Sequence, residues 1–489
     1  MNKKKMLILD KGEIAQRIIS TCKEISIESV VICSDYDLES SYYKNSDSKI
    51  ILSYESEIEY FKHPELLIKL ALENKIDIIH PGYGIFSEDP AFSKECSDNN
   101  IILVSPSQEM LNLFSNRVLS RRVAKKYGLP IVPGKEFQEL SYPEFCDLVF
   151  EIGIPLLLKK SYTGGGKGIH KILSGANLET QYRYIFNNEI IKNVVLEKKI
   201  RNPRHIEIQV LKDSFGKTVL FSERECTMQY KNQKIIEESP ANIDDKIRKK
   251  LMSYAMDLFV NLNYIGLATV EFMLDENNNI YFCEVNPRLQ VEHTVTEEIH
   301  NIDLVKEQIS ISLGMATSLS NKEIIPSGHA IQCRIYNISS NFKKSFFGKD
   351  FFSYFIHWSG IRVDTSLLTG SRITQEMDSL IAKIISHSDS RNNSIKKLKA
   401  YLENINLVGF KTTKQLILKI LNSNFFLENK IHTEFLENEF KENLKIDELE
   451  EKNYFSEIAL SAASIFLYNE NKNNNIKSKY PDWAEKWKK

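Results

Sequence analysis

The chain has 489 residues, and its 64 Lys and Arg nearly match its 65 Asp and Glu, leaving a net charge of −1. With 42% hydrophobic and 26% charged residues it reads as a globular protein of about three domains, which excludes a disordered chain, a membrane-spanning one and a charge-driven nucleic-acid binder. Seven scattered Cys without a C-x-x-C pair exclude a disulfide framework and a structural zinc site.

The first third alternates strand and helix signals. Met6–Leu9 is an apolar run of four residues, too short for a signal peptide, so a buried strand and a cytoplasmic protein are expected. Gly12–Ile25 has helical spacing, Val30–Cys33 is again apolar, Pro64–Leu72 is helical, and Ile76–Ile79 ends at His80-Pro81-Gly82-Tyr83-Gly84. This rhythm predicts an open, mostly parallel sheet with helices on its faces. No G-x-G-x-x-G follows the first strand, so a dinucleotide-binding reading lacks its main support.

A second unit begins near Pro130. The strand-like Ile154–Leu158 leads through Lys159 and Lys160 to Gly164-Gly165-Gly166-Lys167-Gly168. Glycine lets backbone N–H groups approach an anion, and a lysine adds charge, which suits a phosphate-binding flap. It is not a Walker A loop, because Gly168 follows Lys167. Taken alone, it fits an ordinary hairpin tip equally well.

The most informative stretch is Tyr264–His293. Ala268–Leu274 and Ile280–Val285 read as two strands joined by Asp275–Asn279. A turn centred between Asn277 and Asn278 sets Glu271 opposite Glu284. Two opposed carboxylates on apolar strands demand a proton or a cation, and oxygen ligands suit magnesium or manganese. Beyond them Glu284, Asn286, Arg288, Gln290 and Glu292 alternate with apolar residues, so extended chain would align them as one track. A cation end, an anion pocket and a general base fit that order; a solvated strand face gives the same alternation. Further upstream, His205, Glu207 and Gln209 alternate in the same way, and Glu223–Gln229 adds polar groups.

Together these residues resemble the biotin carboxylases, which are ATP-grasp enzymes, over about Lys5 to Leu436. The matching strings are HPGYGIFSED at 80–89, GGGKG at 164–168, NPRHIEIQV at 202–210, SERECTMQ at 222–229, QKIIEESPA at 233–241, EVNPRLQVEHTVTE at 284–297 and HAIQCRI at 329–335. The resemblance implies an ATP-grasp fold: an N-terminal open parallel α/β domain (1–115), an ATP-grasp domain (116–325) with a mobile lid (131–203), and a C-terminal mixed-sheet domain (326–437). A tail, 438–489, has no assigned role. The activity implied is ATP- and bicarbonate-dependent carboxylation of biotin, the first half-reaction of an acyl-CoA carboxylase.

On matched positions, the resemblance implies that Arg117, Lys159, the glycine loop, Glu197, Lys198, His205, Gln229 and Lys234 contact ATP. Glu271, Glu284 and Asn286 would bind magnesium or manganese at two sites. Arg288, Gln290 and the Val291 backbone would hold bicarbonate, Glu292 would be the base, and Arg334 would stabilise the biotin enolate. No Ala-Met-Lys-Met biotinylation motif is present. Biotin carboxyl carrier protein and carboxyltransferase are therefore expected on separate chains, with the chain itself a homodimer. Departures from the family pattern are Asp10-Lys11 for Asn-Arg, Arg117 for Lys, Tyr162-Thr163 in the glycine loop, Asn232 for His and Gln332 for Glu. The glycine-loop changes and Arg117 keep in view a non-catalytic ATP-binding scaffold in a carboxylase complex; a separate alternative is another bicarbonate-using ATP-grasp ligase, of the carbamoyl-phosphate-forming type, against which the Arg288–His293 string argues.

Overall fold

The computed structural model describes residues 3–138, 140–160, 168–186, 194–320, 324–338, 352–354, 358–368, 379–408, 411–438 and 440. Tyr162, Thr163, Gly164, Gly165, Gly166 and Lys167 lie outside them, as do Trp483, Trp487 and nearly all of the 438–489 tail.

The N-terminal unit is a parallel sheet of β1 (Lys5–Ile8), β2 (Glu28–Cys33), β3 (Ser48–Ile51), β4 (Ile78–His80) and β5 (Ile102–Leu103), in the order β3-β2-β1-β4-β5. Its strands are near-continuous apolar runs because helices cover both faces. One of those helices, Gly12–Glu24, buries Ile14, Ala15, Ile18, Ile19 and Cys22 along one stripe. All seven cysteines are free thiols, and five of them are buried.

Four antiparallel strands form a separate small sheet: β6 (Gly134–Phe137), β7 (Leu156–Lys160), β8 (Ile169–Ile172) and β9 (Val194–Lys198), ordered β6-β9-β7-β8. Leu156, Leu158, Ile172, Val194 and Leu196 pack there against Phe145, Leu148 and Val149 of the helix Tyr142–Ile152.

The rest is built on one nine-stranded antiparallel sheet. It comprises β10 (Arg204–Lys212), β11 (Thr218–Leu220), β12 (Arg224–Tyr230), β13 (Gln233–Ser239), β14 (Gly266–Leu274), β15 (Ile280–Asn286), β16 (His329–Tyr336), β18 (Ile361–Thr365) and β19 (Leu380–Ser388). A two-stranded pair, β17 (Phe352–Tyr354) with β20 (Asn406–Val408), stands apart. The strand order β15-β14-β10-β12-β13-β16-β19-β18 runs without a break from the central stretch into the C-terminal one.

Period-two alternation gives this sheet two unlike faces. On one, Ile206, Ile208, Val210, Ala268, Val270 and Phe272 pack against the helix Asp245–Val260. Further along the same face, Cys333, Ile335, Ala382 and Ile384 pack against the helix Arg391–Asn404. The opposite face carries the charges. Among the described residues, no helix is long and apolar enough to cross a membrane.

Candidate active site

The charged face is assembled by register. Glu271 stands opposite Glu284 on one side and Glu207 on the other, and Glu207 in turn opposes Arg224. On the next three strands, β13, β16 and β19, Glu237 pairs with Gln332 and Arg334 pairs with Lys383. Residues directly opposite in an antiparallel sheet share a face, so this lattice brings distant stretches of sequence into one buried field.

The opposed carboxylates expected from the sequence are present, but the turn differs. Leu274 pairs with Ile280, which centres the turn on Asn277 rather than between Asn277 and Asn278. The Asp275 carboxylate accepts the backbone N–H of Asn277 (2.8 Å) and of Asn279 (2.9 Å), and Asn278 takes φ +61°. A bulge then absorbs Cys283, so that Glu271 still meets Glu284.

The two carboxyls have diverging environments. Glu271 is buried, but Lys234 and His205 outweigh that burial and hold it well below the ordinary range. Glu284 is pushed upward by burial and by the charge on Glu271, against Arg117 and Lys159. A divalent cation would relieve this repulsion. Glu271 and Glu284 supply carboxylate oxygens and Asn286 a side-chain amide oxygen, a hard donor set that fits magnesium or manganese. Asn286 also donates to Glu271 Oε1 at 2.8 Å.

The expected extended track ends at Asn286. Residues 287–292 leave the sheet as an irregular segment that enters the helix His293–His300. Pro287 lacks the N–H that a ladder needs. The polar residues of the track still converge, because tertiary partners hold them. Gln290 donates to Glu271 Oε1 (2.9 Å) and accepts from Arg224 (2.6 Å). Arg288 turns to Glu88, with Nε 2.6 Å from Oε1, and its Nη1 donates to Leu289 O.

Glu292 is buried and doubly clamped: Lys234 Nζ lies 2.5 Å from Oε1 and Arg334 Nη2 lies 2.9 Å from Oε2. Burial alone would raise its carboxyl, yet Lys234, Arg334 and Arg224 hold it below the usual range, against the charge of Glu207. A carboxyl held down in this way suits a proton acceptor. Lys234 also pairs with Glu207 and Glu271, which together with Glu292 raise it well above a free lysine in spite of burial.

Three groups to which the sequence patterns assign no role complete the cluster. Arg224 is fully buried and donates to Glu207, Gln209, Thr269, Thr296 and Gln290. Glu207 neutralises Arg224 and Lys234 at once. Glu237 holds Arg334 through Nε at 2.5 Å and accepts from Gln332 at 3.0 Å. All three sit inside the matching strings, but their partners are remote in sequence.

The residues expected to contact ATP fall in two places. His205 Nδ1 meets Gln229 Nε2 at 2.8 Å, and His205 Nε2 lies 3.1 Å from Glu271 Oε2. On the small sheet, Lys159 pairs with Glu197 at 2.5 Å, and Arg121 approaches the same carboxylate at 3.3 Å. Arg117 joins the two places: Nη1 donates to Lys160 O at 2.6 Å, and Nε lies 3.6 Å from Glu284. The Lys198 ammonium instead donates to Gly153 O at 3.1 Å, at the end of the helix Tyr142–Ile152. Gly168, the described end of the glycine loop, takes φ +72°.

Most of the chain matches known proteins. Residues 2–111 match the model of the biotin carboxylase N-terminal domain, and residues 332–438 match the biotin carboxylase C-terminal domain. Residues 116–320 match the carbamoyl-phosphate synthase L chain ATP-binding domain. Biotin carboxylase 1 of Bacillus subtilis (strain 168) is 35% identical over 446 residues, spanning 89% of this chain and 98% of the relative. A Campylobacter jejuni biotin carboxylase–βγ-ATP complex superposes with TM-score 0.82 at 33% identity, covering 89% of this chain and 98% of the other. The biotin carboxylase domain dimer of Hydrogenobacter thermophilus 2-oxoglutarate carboxylase, bound to MgADP, ADP and bicarbonate, gives TM-score 0.82 at 33% identity, with coverages of 89% and 97%.

Proposed function

Because the chain belongs to the biotin carboxylase family, we propose that it carboxylates biotin with ATP and bicarbonate, using Glu292 as the base. The observation that carries this reading is the buried Glu292 carboxylate held between Lys234 and Arg334, beside the Glu271–Glu284 pair.

ATP would lie between the small sheet and the charged face. Lys159, Glu197, Lys198, His205, Gln229 and Lys234 contact it in this reading, with Arg117 at the junction. Glu271, Glu284 and Asn286 would hold magnesium or manganese, which would supply neutralisation of phosphate charge. Arg288, Gln290 and the Val291 backbone hold bicarbonate. Glu292 takes the bicarbonate proton, and the resulting oxyanion attacks the γ-phosphorus, displacing ADP and forming carboxyphosphate. Carboxyphosphate breaks down to carbon dioxide and phosphate, and the phosphate removes the biotin N1′ proton. Arg334 stabilises the enolate, whose nitrogen adds to carbon dioxide. Charge neutralisation and exclusion of water from carboxyphosphate supply the rate.

Biotin carboxylase relatives suggest a carboxylase complex, and one structural neighbour is a dimer. We place the carrier and the transferase on separate chains, and this chain in the cytoplasm as a homodimer. The same proposal sets its divisions at 1–115, 116–325 with the lid at 131–203, and 326–437. The test is incubation with labelled bicarbonate, ATP, magnesium and free biotin. Acid-labile label on biotin, absent without ATP, is the expected product. ADP formation with no labelled biotin would contradict the proposal.

A further inference from the structure

The strongest unassigned feature is a fully buried lysine beside the base. Lys383 lies on β19 with its side chain 0% exposed. Its ammonium is 2.9 Å from Glu13 Oε2, 3.7 Å from Asp364 Oδ2, and donates to Val291 O at 3.3 Å. It also sits 6.0 Å from the centre of the Tyr83 ring. A buried charge survives only when paired and hydrogen-bonded, and Glu13 and Asp364 provide the pairing. The bond to Val291 is different in kind: it holds a backbone carbonyl in the irregular 287–292 segment.

That carbonyl belongs to the peptide joining Val291 to Glu292. Lys383 is directly opposite Arg334 in the sheet, so their side chains leave the same face side by side. Arg334 grips the Glu292 carboxylate at 2.9 Å, and Lys383 grips the peptide that leads into Glu292. Two adjacent buried cations on one rigid ladder thus hold both ends of the same residue. Without the second grip, the plane of the 291–292 peptide would be set only by the loop around it.

We propose that Lys383 is a positioning residue for the base, and that it fixes the Val291–Glu292 peptide so that the Glu292 carboxylate falls between Lys234 and Arg334. Asp364, held far below the ordinary carboxylate range by Arg362 and Lys383 in spite of burial, is the counter-charge that makes the buried ammonium tolerable, while burial pushes the nearer Glu13 carboxyl up to about 7. The clamp ties three stretches together: the helix Gly12–Glu24, the 287–292 segment and β19. This inference rests on Glu292 being the base.

The test uses Lys383→Met, which removes the donor, and Lys383→Arg, which keeps the charge for Glu13 and Asp364 but moves the donor away from Val291. Biotin-stimulated ADP release is measured at varied ATP and bicarbonate, beside the rise in Tm produced by ADP. Displacing a reacting group by a fraction of an ångström to an ångström is costly, so kcat should fall about tenfold or more in both variants. The KM for ATP should stay within about twofold, and the ADP-induced rise in Tm should persist. If Lys383→Met does not fold, Lys383→Arg decides alone. Wild-type kcat in a folded variant overturns the inference. So does a loss of kcat that is matched by lost ATP affinity, because a simple cross-link between domains would produce that. A wild-type chain without biotin-stimulated turnover removes the functional reading and this inference with it, whereas active variants overturn the inference alone.

Discussion

Glu207 takes no part in the proposed chemistry, yet two buried cations depend on it. Arg224 Nη2 lies 3.0 Å from its carboxylate, and Lys234 shares it. Removing one partner of a buried ion pair leaves the other charge uncompensated, at a cost of about 3–5 kcal/mol. Glu207→Gln is therefore expected to lower Tm sharply, whereas Glu292→Gln, which leaves Lys234 paired with Glu207 and Glu271 and Arg334 paired with Glu237, should lower turnover far more than Tm. Thermal unfolding of the two variants checks this; equal Tm loss in both would contradict the division of roles. At this scale the sequence is legible where function follows from local pattern. The alternation around Glu271 and Glu284 points to two carboxylates on facing strands, although their actual meeting depends on the bulge at Cys283. Glu237 is not legible, because its partner Arg334 is 97 residues away and nothing local announces the pairing. Arg288 leaves its expected place on the track for the same reason: Glu88, 200 residues earlier, holds its guanidinium.

Elements place these residues only as accurately as backbones approach one another. Gly134 in β6 pairs with Glu197 in β9, and a Cβ there would stand 2.4 Å from Leu196 O and 2.6 Å from Glu197 Cα. Gly134→Ala must push the strands apart, costing about 1–3 kcal/mol. Since Glu197 holds Lys159, the KM for ATP should rise as Tm falls; a changed Tm with unchanged KM would detach Glu197 from ATP binding. Strand identities are readable because period-two alternation is a direct image of the two-faced sheet. The 287–292 segment imitates that alternation without being a strand. Its polar side chains converge through Gln290 to Arg224 and Glu271, and through Glu292 to Lys234 and Arg334, not through pleating. The bulge at Cys283 is equally hidden, since one extra residue in a strand has no compositional mark.

Over the whole molecule, the continuous nine-stranded sheet makes the central and C-terminal stretches one mechanical body. Glu238 on β13 fastens that junction, accepting from Arg391 at 2.6 and 3.0 Å and meeting His329 Nε2 at 2.9 Å. Burial would raise its carboxyl, but His329 and Arg391 outweigh that and bring it down to about 2. A depressed carboxyl contributes stability above its unfolded value, near 4.5, and loses it as pH falls towards 2. The shift corresponds to on the order of 3 kcal/mol. Glu238→Gln should thus be less stable at pH 7 and show a shallower fall in Tm between pH 5 and pH 3; a parallel fall would place the acid sensitivity elsewhere. The parallel N-terminal sheet is foreseeable from its strand–helix rhythm, whereas the fusion of later strands into one sheet depends on long-range pairing such as Ile236 with Cys333, which composition does not encode. The most direct single measurement is ADP release by the purified chain with magnesium and bicarbonate, with and without free biotin, for wild type and Glu292→Gln. Biotin carboxylation predicts biotin-stimulated release that falls about 10²–10⁴-fold in the variant. Release indifferent to biotin, or unaffected by Glu292→Gln, would contradict it.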